Sequence, residues 1–224
     1  MPRRPPGDQA IPWGHSSPAQ AGLGLPGKKR PGPPPAAGRR IVVALTGASG
    51  MRYGVRLLEV LKESGCERTV VLTDGGLKVL GLETGLCAGD VRALSSKFFK
   101  NSQLEAPVAS GSQRFDAMVV CPCTMSTVSK IACGISDNLV TRVAAVALKE
   151  RRTLVIVPRE TPLSTVQLRN LAALSELGVV VLPAMPAFYG RPQRLEELVD
   201  FIVGRVLDVL GIENRLYRRW AGKR

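Results

Sequence analysis

From residue 41 onward the chain alternates between short apolar runs and longer amphipathic ones. Residues 41–46, 69–73, 115–120, 154–157 and 179–182 are short and mostly apolar, so they read as strands. Between them the apolar positions recur at three and four, which predicts helices. Residues 52–64 form the first, with Gly54, Leu57, Leu58 and Leu61 on one stripe. Residues 76–84, 124–133, 137–150 and 163–177 follow, the helix from 137 being capped by Ser136 or Asp137. Residues 193–210 form the last, with Leu195, Leu198, Ile202, Val206 and Leu210 inward. Residues 86–112 show neither period, and there is no internal repeat. Strands apolar on both faces, separated by helices, imply a parallel sheet covered on both sides.

Ligands of such sheets sit at the carboxyl ends of the strands. After the first strand comes Gly47-Ala48-Ser49-Gly50. Small residues there let backbone N–H groups approach an anion at a helix start. A tight turn without a ligand has the same composition. After the second strand comes Thr73-Asp74, and after the third Cys121-Pro122-Cys123-Thr124-Met125-Ser126-Thr127. Those hydroxyls either cap a helix or bind a phosphate or the polar edge of a flavin. After the fourth come Arg159 and Glu160, a phosphate grip beside an acid or base, or else a surface ion pair. After the fifth come Phe188 and Tyr189, a wall and a hydroxyl, or simply core. Arg142 and Lys149 are seven apart on one helix face with Ala145 between them, which leaves room for an anion or makes a solvated stripe.

Composition removes several classes. Residues 1–40 hold 10 of the 17 prolines and 7 of the 23 glycines and no periodic apolar run, so they read as a disordered tail ahead of a domain at 41–224. The tail carries +6 of the net charge of +13. Its cations are scattered and not interleaved with aromatics, which argues against nucleic acid. Neither a signal core nor a membrane-length apolar run is present. Five cysteines, an odd number without a secretory signal, point to reduced thiols in a cytoplasm. Cys121-Pro-Cys123 lacks zinc spacing and reads as strand-end packing. The only histidine is His15, so a catalytic histidine in the folded domain is excluded. The glycine loop is not G-x-G-x-x-G, and no Tyr-x-x-x-Lys exists, which disfavours a nicotinamide dehydrogenase.

Taken together, LTGASGMRYG (45–54), LGLETG (80–85), ASGS (109–112), the run 119–152 ending in ALKERR, LVIVPRETPLS (154–164), PAMPAFYGRPQ (183–193) and VDFIVGRVLDVLGI (199–212) resemble the flavin prenyltransferase family. Its members are partners of the UbiD-type decarboxylases. The resemblance covers 41–220 and leaves out the tail. It implies a Rossmann-like, flavodoxin-like α/β subunit, a homo-dodecamer, and a metal-independent reaction. A dimethylallyl group from dimethylallyl monophosphate is joined to N5 and C6 of reduced FMN. The product becomes the cofactor of the decarboxylase.

Carried over by position, Gly47, Ala48, Ser49, Thr73, Thr124, Met125, Ser126, Thr127 and Arg159 would bind FMN. Arg142, Lys149, Tyr189 and Arg205 would hold the prenyl phosphate, part of the pocket coming from a neighbouring subunit. Glu160 would exchange a proton with the leaving phosphate, and Ser49 and Glu83 would shuttle the proton lost from C6. Two positions depart from the family pattern. Asp74 brings negative charge next to Thr73, and Leu104 stands where some members carry an aromatic. A non-catalytic FMN-binding assembly protein would share the loops but would not need Arg142, Lys149, Tyr189 and Arg205. Cysteine decarboxylases of similar fold rely on a histidine that this domain lacks.

Overall fold

The computed structural model describes residues 36–222, and most of the tail expected over 1–40 lies outside them. The folded part begins before residue 41. Gly38 N–H bonds the carbonyl of Gly65 at 3.1 Å, and Ala36 packs on the core.

The strands are β1 (Arg40–Leu45), β2 (Glu67–Leu72), β3 (Lys97–Lys100), β4 (Ala117–Cys123), β5 (Thr153–Pro158) and β6 (Val180–Val181). The helices are α1 (Met51–Glu63), α2 (Asp74–Thr84), α3 (Ala88–Ala93), α4 (Met125–Ala132), α5 (Leu139–Lys149), α6 (Thr165–Glu176) and α7 (Leu195–Leu210). All six strands pair in parallel in the order β3-β2-β1-β4-β5-β6.

Register explains why the strands are apolar on both faces. Phe98, Val70, Val43, Val119, Val155 and Val180 form one row across the sheet. That row packs on α1, α7 and the buried residues Leu80 and Val91 of α2 and α3. The next row is Phe99, Val71, Ala44, Val120, Ile156 and Val181, and it packs on α4, α5 and α6. Successive side chains point to opposite faces, so each strand feeds two cores. The predicted stripe of the first helix is realised, since Leu57, Leu58 and Leu61 of α1 are fully buried. Gly54 lets α1 settle on the sheet, because a Cβ there would overlap the carbonyl oxygen of Cys121 and the side chain of Leu45.

The chain leaves β1 in one direction to β2 and β3, then returns to β4 on the other side of β1. The crevice at the carboxyl ends of β1 and β4 is therefore the switch point where such sheets take ligands.

Several expectations are corrected. The segment 86–112 contains α3, the edge strand β3 and a single 3-10 turn, Pro107–Ala109. Asn138, not Ser136 or Asp137, caps α5 by accepting from the N–H of Thr141 at 3.1 Å. β4 runs on to Cys123, with a break in register between Val120 and Cys123. Leu195 opens α7 at 52% exposed rather than facing inward. Cys121 and Cys123 are buried, and burial pushes both thiols up. The five cysteines are unpaired. No described helix is long and apolar enough to cross a membrane.

Candidate functional site

The loops after β1, β2, β4 and β5 meet at the switch point. Gly47 and Gly75 touch, and a Cβ on Gly47 would stand 3.1 Å from the backbone carbon of Gly75. Two glycines at this contact let the loops after β1 and β2 close on each other. Thr46 joins the first loop to the third. Its hydroxyl donates to the Pro122 carbonyl at 2.8 Å and accepts from Thr124 N–H at 2.9 Å.

The start of α1 already holds an anion. Glu83, near the end of α2, accepts from Gly50 N–H at 2.9 Å and Met51 N–H at 2.8 Å. A carboxylate is favoured there by the helix dipole. Burial would raise its pKa, but the Ser49 hydroxyl, those two N–H groups and the nearby Arg159 outweigh it and hold it below the usual range. An internal carboxylate thus takes the N–H groups of Gly50 and Met51, next to the loop expected to receive a ligand anion. No local pattern announces this, because Glu83 is 33 residues from Gly50.

Two other helix starts remain. Thr73 caps α2, accepting from Gly76 N–H at 2.9 Å, and Thr124 caps α4, accepting from Thr127 N–H at 3.1 Å. The Thr124 and Thr127 hydroxyls lie 2.8 Å apart. Helix geometry leaves the first N–H groups of both helices without an intrahelical acceptor. Met125 is buried beneath, whereas Ser49 and Ser126 are exposed and Ala48 is buried. Asp74 is exposed in the first turn of α2.

Arg159, at the end of β5, donates from Nε to the Ser49 carbonyl at 3.2 Å. It thereby ties the loop after β5 to the loop after β1. Glu160 is exposed beside it and accepts from Thr161 N–H at 3.2 Å. Both line a small cleft of about 70 Å³ with Leu163, Pro183 and Met185. Tyr53 was not singled out by the sequence. Burial raises its pKa, Cys121 and Glu83 add to the rise, and Arg159 opposes it, which places Tyr53 among these charges.

The four residues expected to hold a prenyl phosphate are placed differently. Tyr189 and Arg205 belong to one cluster at the carboxyl-terminal end of the chain. Tyr189 makes edge contacts with Phe201 at 6.1 Å and Trp220 at 5.5 Å between ring centres. Arg205 is bound to Asp208 and Tyr217. Arg142 and Lys149 lie on the exposed side of α5. Arg142 Nε donates to the Ala109 carbonyl at 3.1 Å, and Lys149 pairs with Glu150 at 3.1 Å beside Gly111. α5 runs back toward the amino ends of the strands, where Arg152 bonds Gln113 and Gly111. Lys149 is about 10 Å further that way than Arg142, by the rise of a helix. The structure gathers Ser49, Glu83, Thr73, Thr124, Arg159 and Glu160 at the strand ends, while Arg142 faces outward in the first turn of α5, whose start is bonded to Asn101 just past β3, and Lys149 lies two turns further back.

Residues 33–207 match the model of the Flavoprotein family. The flavin prenyltransferase UbiX of Methanothermobacter thermautotrophicus is 48% identical over 83% of this chain and 97% of its own length. The solved structure of AnUbiX (PadA1) with FMN and dimethylallyl pyrophosphate superposes with a TM-score of 0.82 at 41% identity, covering 84% of this chain and all of that one. A dodecameric FMN-dependent UbiX-like decarboxylase from Escherichia coli O157:H7 gives 0.80 at 44% identity, over 82% and 100%. With a fold, a switch-point crevice and relatives in agreement over most of its length, the chain belongs to the flavin prenyltransferase family of flavoproteins.

Proposed function

We propose that the protein joins a dimethylallyl group from dimethylallyl monophosphate to reduced FMN and releases prenylated FMN to a UbiD-type decarboxylase. The observation that carries this reading is the convergence of Ser49, Glu83, Arg159 and Glu160 at the strand ends, in a chain of this family. The donor set suits FMN. Two helix starts offer N–H groups and hydroxyls to a phosphate. The close Gly47–Gly75 contact puts no side chain in the way of a flat ring system beside the loops after β1 and β2. Thr73, Thr124, Met125, Ser126, Thr127 and Arg159 would hold it. When bound, reduced FMN supplies N5 and C6 as the atoms that accept the prenyl group.

The remaining roles fall to this chain's own side chains. Arg142, Lys149, Tyr189 and Arg205 would grip the prenyl phosphate. Preorganised cations of this kind stabilise charge building on a leaving phosphate. Glu160 would deliver a proton to a phosphate oxygen as it leaves. The Ser49 hydroxyl would pass a proton to the carboxylate of Glu83, whose N–H partners favour its ionised form. Because Arg142 and Lys149 face outward from α5, they would serve the site of a neighbouring subunit in a homo-oligomer, which we take to be a dodecamer. We take it to work in the cytoplasm, where thiols such as its five unpaired cysteines stay reduced.

The test is anaerobic incubation with reduced FMN and dimethylallyl monophosphate, followed by mass spectrometry of the released flavin. One added prenyl unit is expected, and unmodified FMN would overturn the reading. Glu160→Gln is expected to lower turnover by roughly 10²–10⁴-fold, the usual worth of a positioned acid or base, while FMN titrates normally. Full activity in that variant would remove Glu160 from the proton path.

A further inference from the structure

Arg205 lies on the exposed side of α7, and the chain then folds back over that side. Gly211 ends the helix in the left-handed conformation, and the following segment returns along it. Gly204 makes the notch that receives it, since a Cβ there would stand 2.5 Å from the ring of Tyr217. The Tyr217 ring also meets Phe201 edge-on at 5.0 Å.

Asp208, one turn beyond Arg205, is the centre of the contact, and its side chain is only 17% exposed. It accepts from Tyr217 Oη at 2.5 Å, from Arg219 at 2.7 and 3.2 Å, from Asn214 Nδ2 at 3.0 Å and from Arg205 Nη1 at 3.1 Å. Arg205 Nη1 also donates to Tyr217 Oη at 3.3 Å. One nitrogen of the guanidinium therefore meets two acceptors, both fixed by groups outside the reaction. Asp208 balances only one of the two arginines, so the cluster keeps a positive charge to offer an anion.

We propose that Asp208 and Tyr217 are positioning residues for Arg205, and that the segment after α7 fixes its guanidinium so that the opposite edge faces the prenyl phosphate. This rests on the reading of Arg205 as a phosphate ligand. An unheld exposed arginine would have to give up its rotamer freedom when the phosphate arrives. Here that freedom is already lost before binding.

Tyr217→Phe keeps the ring in the Gly204 notch and removes only the hydroxyl. The Michaelis constant for dimethylallyl monophosphate is expected to rise about three- to tenfold, what one immobilised side chain is worth. Turnover at saturation and FMN affinity should stay near those of the parent. Asp208→Asn should shift the same constant in the same direction. In an Arg205→Ala background, Tyr217→Phe should add nothing, which a merely structural role would not produce. The proposal falls if Arg205→Ala weakens donor binding while Tyr217→Phe does not. It also falls if the Tyr217→Phe effect persists undiminished in the absence of Arg205. Should Arg205→Ala itself leave donor binding unchanged, the phosphate role of Arg205 fails, and the positioning role goes with it.

Discussion

The loops at the strand ends and the cationic surfaces of α5 and α7 are built on different principles. At the strand ends the donors are mostly backbone N–H groups and short hydroxyls. They are fixed by caps, by the Gly47–Gly75 contact and by Thr46, all within one chain. On α5 and α7 the donors are long side chains in solvent, held at one nitrogen by a carbonyl or a carboxylate. The first region is a cradle that exists before any ligand arrives. The second is a set of exposed cations, which in the proposed reading a neighbouring subunit would enclose. Backbone donors lose little freedom on binding and are indifferent to neighbouring chains. Arginines and lysines carry more charge, but in solvent that charge is screened.

The cradle depends on close packing, and the largest effect is expected where that packing is tightest. Gly54→Ala sets a methyl group against the Cys121 carbonyl and the fully buried Leu45. Neither can retreat without moving β4 or β1. A loss of about 3 kcal/mol is expected, the upper part of the range for overpacking, read as a fall in melting temperature of about 2–4 °C per kcal/mol. FMN affinity should fall with it, because α1 carries the loop of Ser49. A variant as stable as its parent would show that the two loops are not held by this contact.

The same difference governs what was legible beforehand. The two cores follow from period-two and period-3.6 patterns, so five of the six strands and the six long helices can be read from the sequence. β3 could not be. Its KFFK places a lysine at each end of a short edge strand, which hides the apolar pair and protects the edge. α3, at six residues, is too short to show a period. The glycine and threonine loops were visible because strand ends are where such sheets bind ligands. The engagement of Glu83 with α1 was not, since a contact between separate helices leaves no local signature. Arg142 and Lys149 share a helix face, as their spacing requires. Spacing within one helix does not say toward which molecule that face turns.

The second region is tested by separating its cations from the cradle. Arg142→Ala is expected to raise the Michaelis constant for dimethylallyl monophosphate by roughly tenfold or more, as a lost charge-assisted bond of about 1.5–3 kcal/mol would. The FMN dissociation constant should not change. Mixed assemblies sharpen this. Glu160→Gln subunits lack the proton donor and Arg142→Ala subunits lack the donor clamp. If Arg142 reaches across to a neighbour, unfolding and reassembling the two together should restore part of the activity that neither has alone. Failure of the mixture to exceed its components would place Arg142 in its own subunit's site, and the two regions would then belong to one subunit.

The smallest effect concerns the anion that belongs to the cradle itself. Burial alone would raise the pKa of Glu83, yet the Ser49 hydroxyl, the N–H groups of Met51 and Gly50, and Arg159 bring it below the ordinary glutamate value. The unfolded chain therefore holds that proton more tightly than the folded one. By linkage the carboxylate's contribution to stability is complete above the ordinary glutamate pKa, and is lost as the pH falls through the lower folded value. Glu83→Gln cannot titrate and keeps one oxygen for the N–H groups. It should be modestly less stable than the parent near neutral pH, and the difference should shrink on acidification. Urea melts from neutral pH down to the acid limb read this directly. A gap that stays constant with pH would mean that the two N–H groups do not prefer the ionised form.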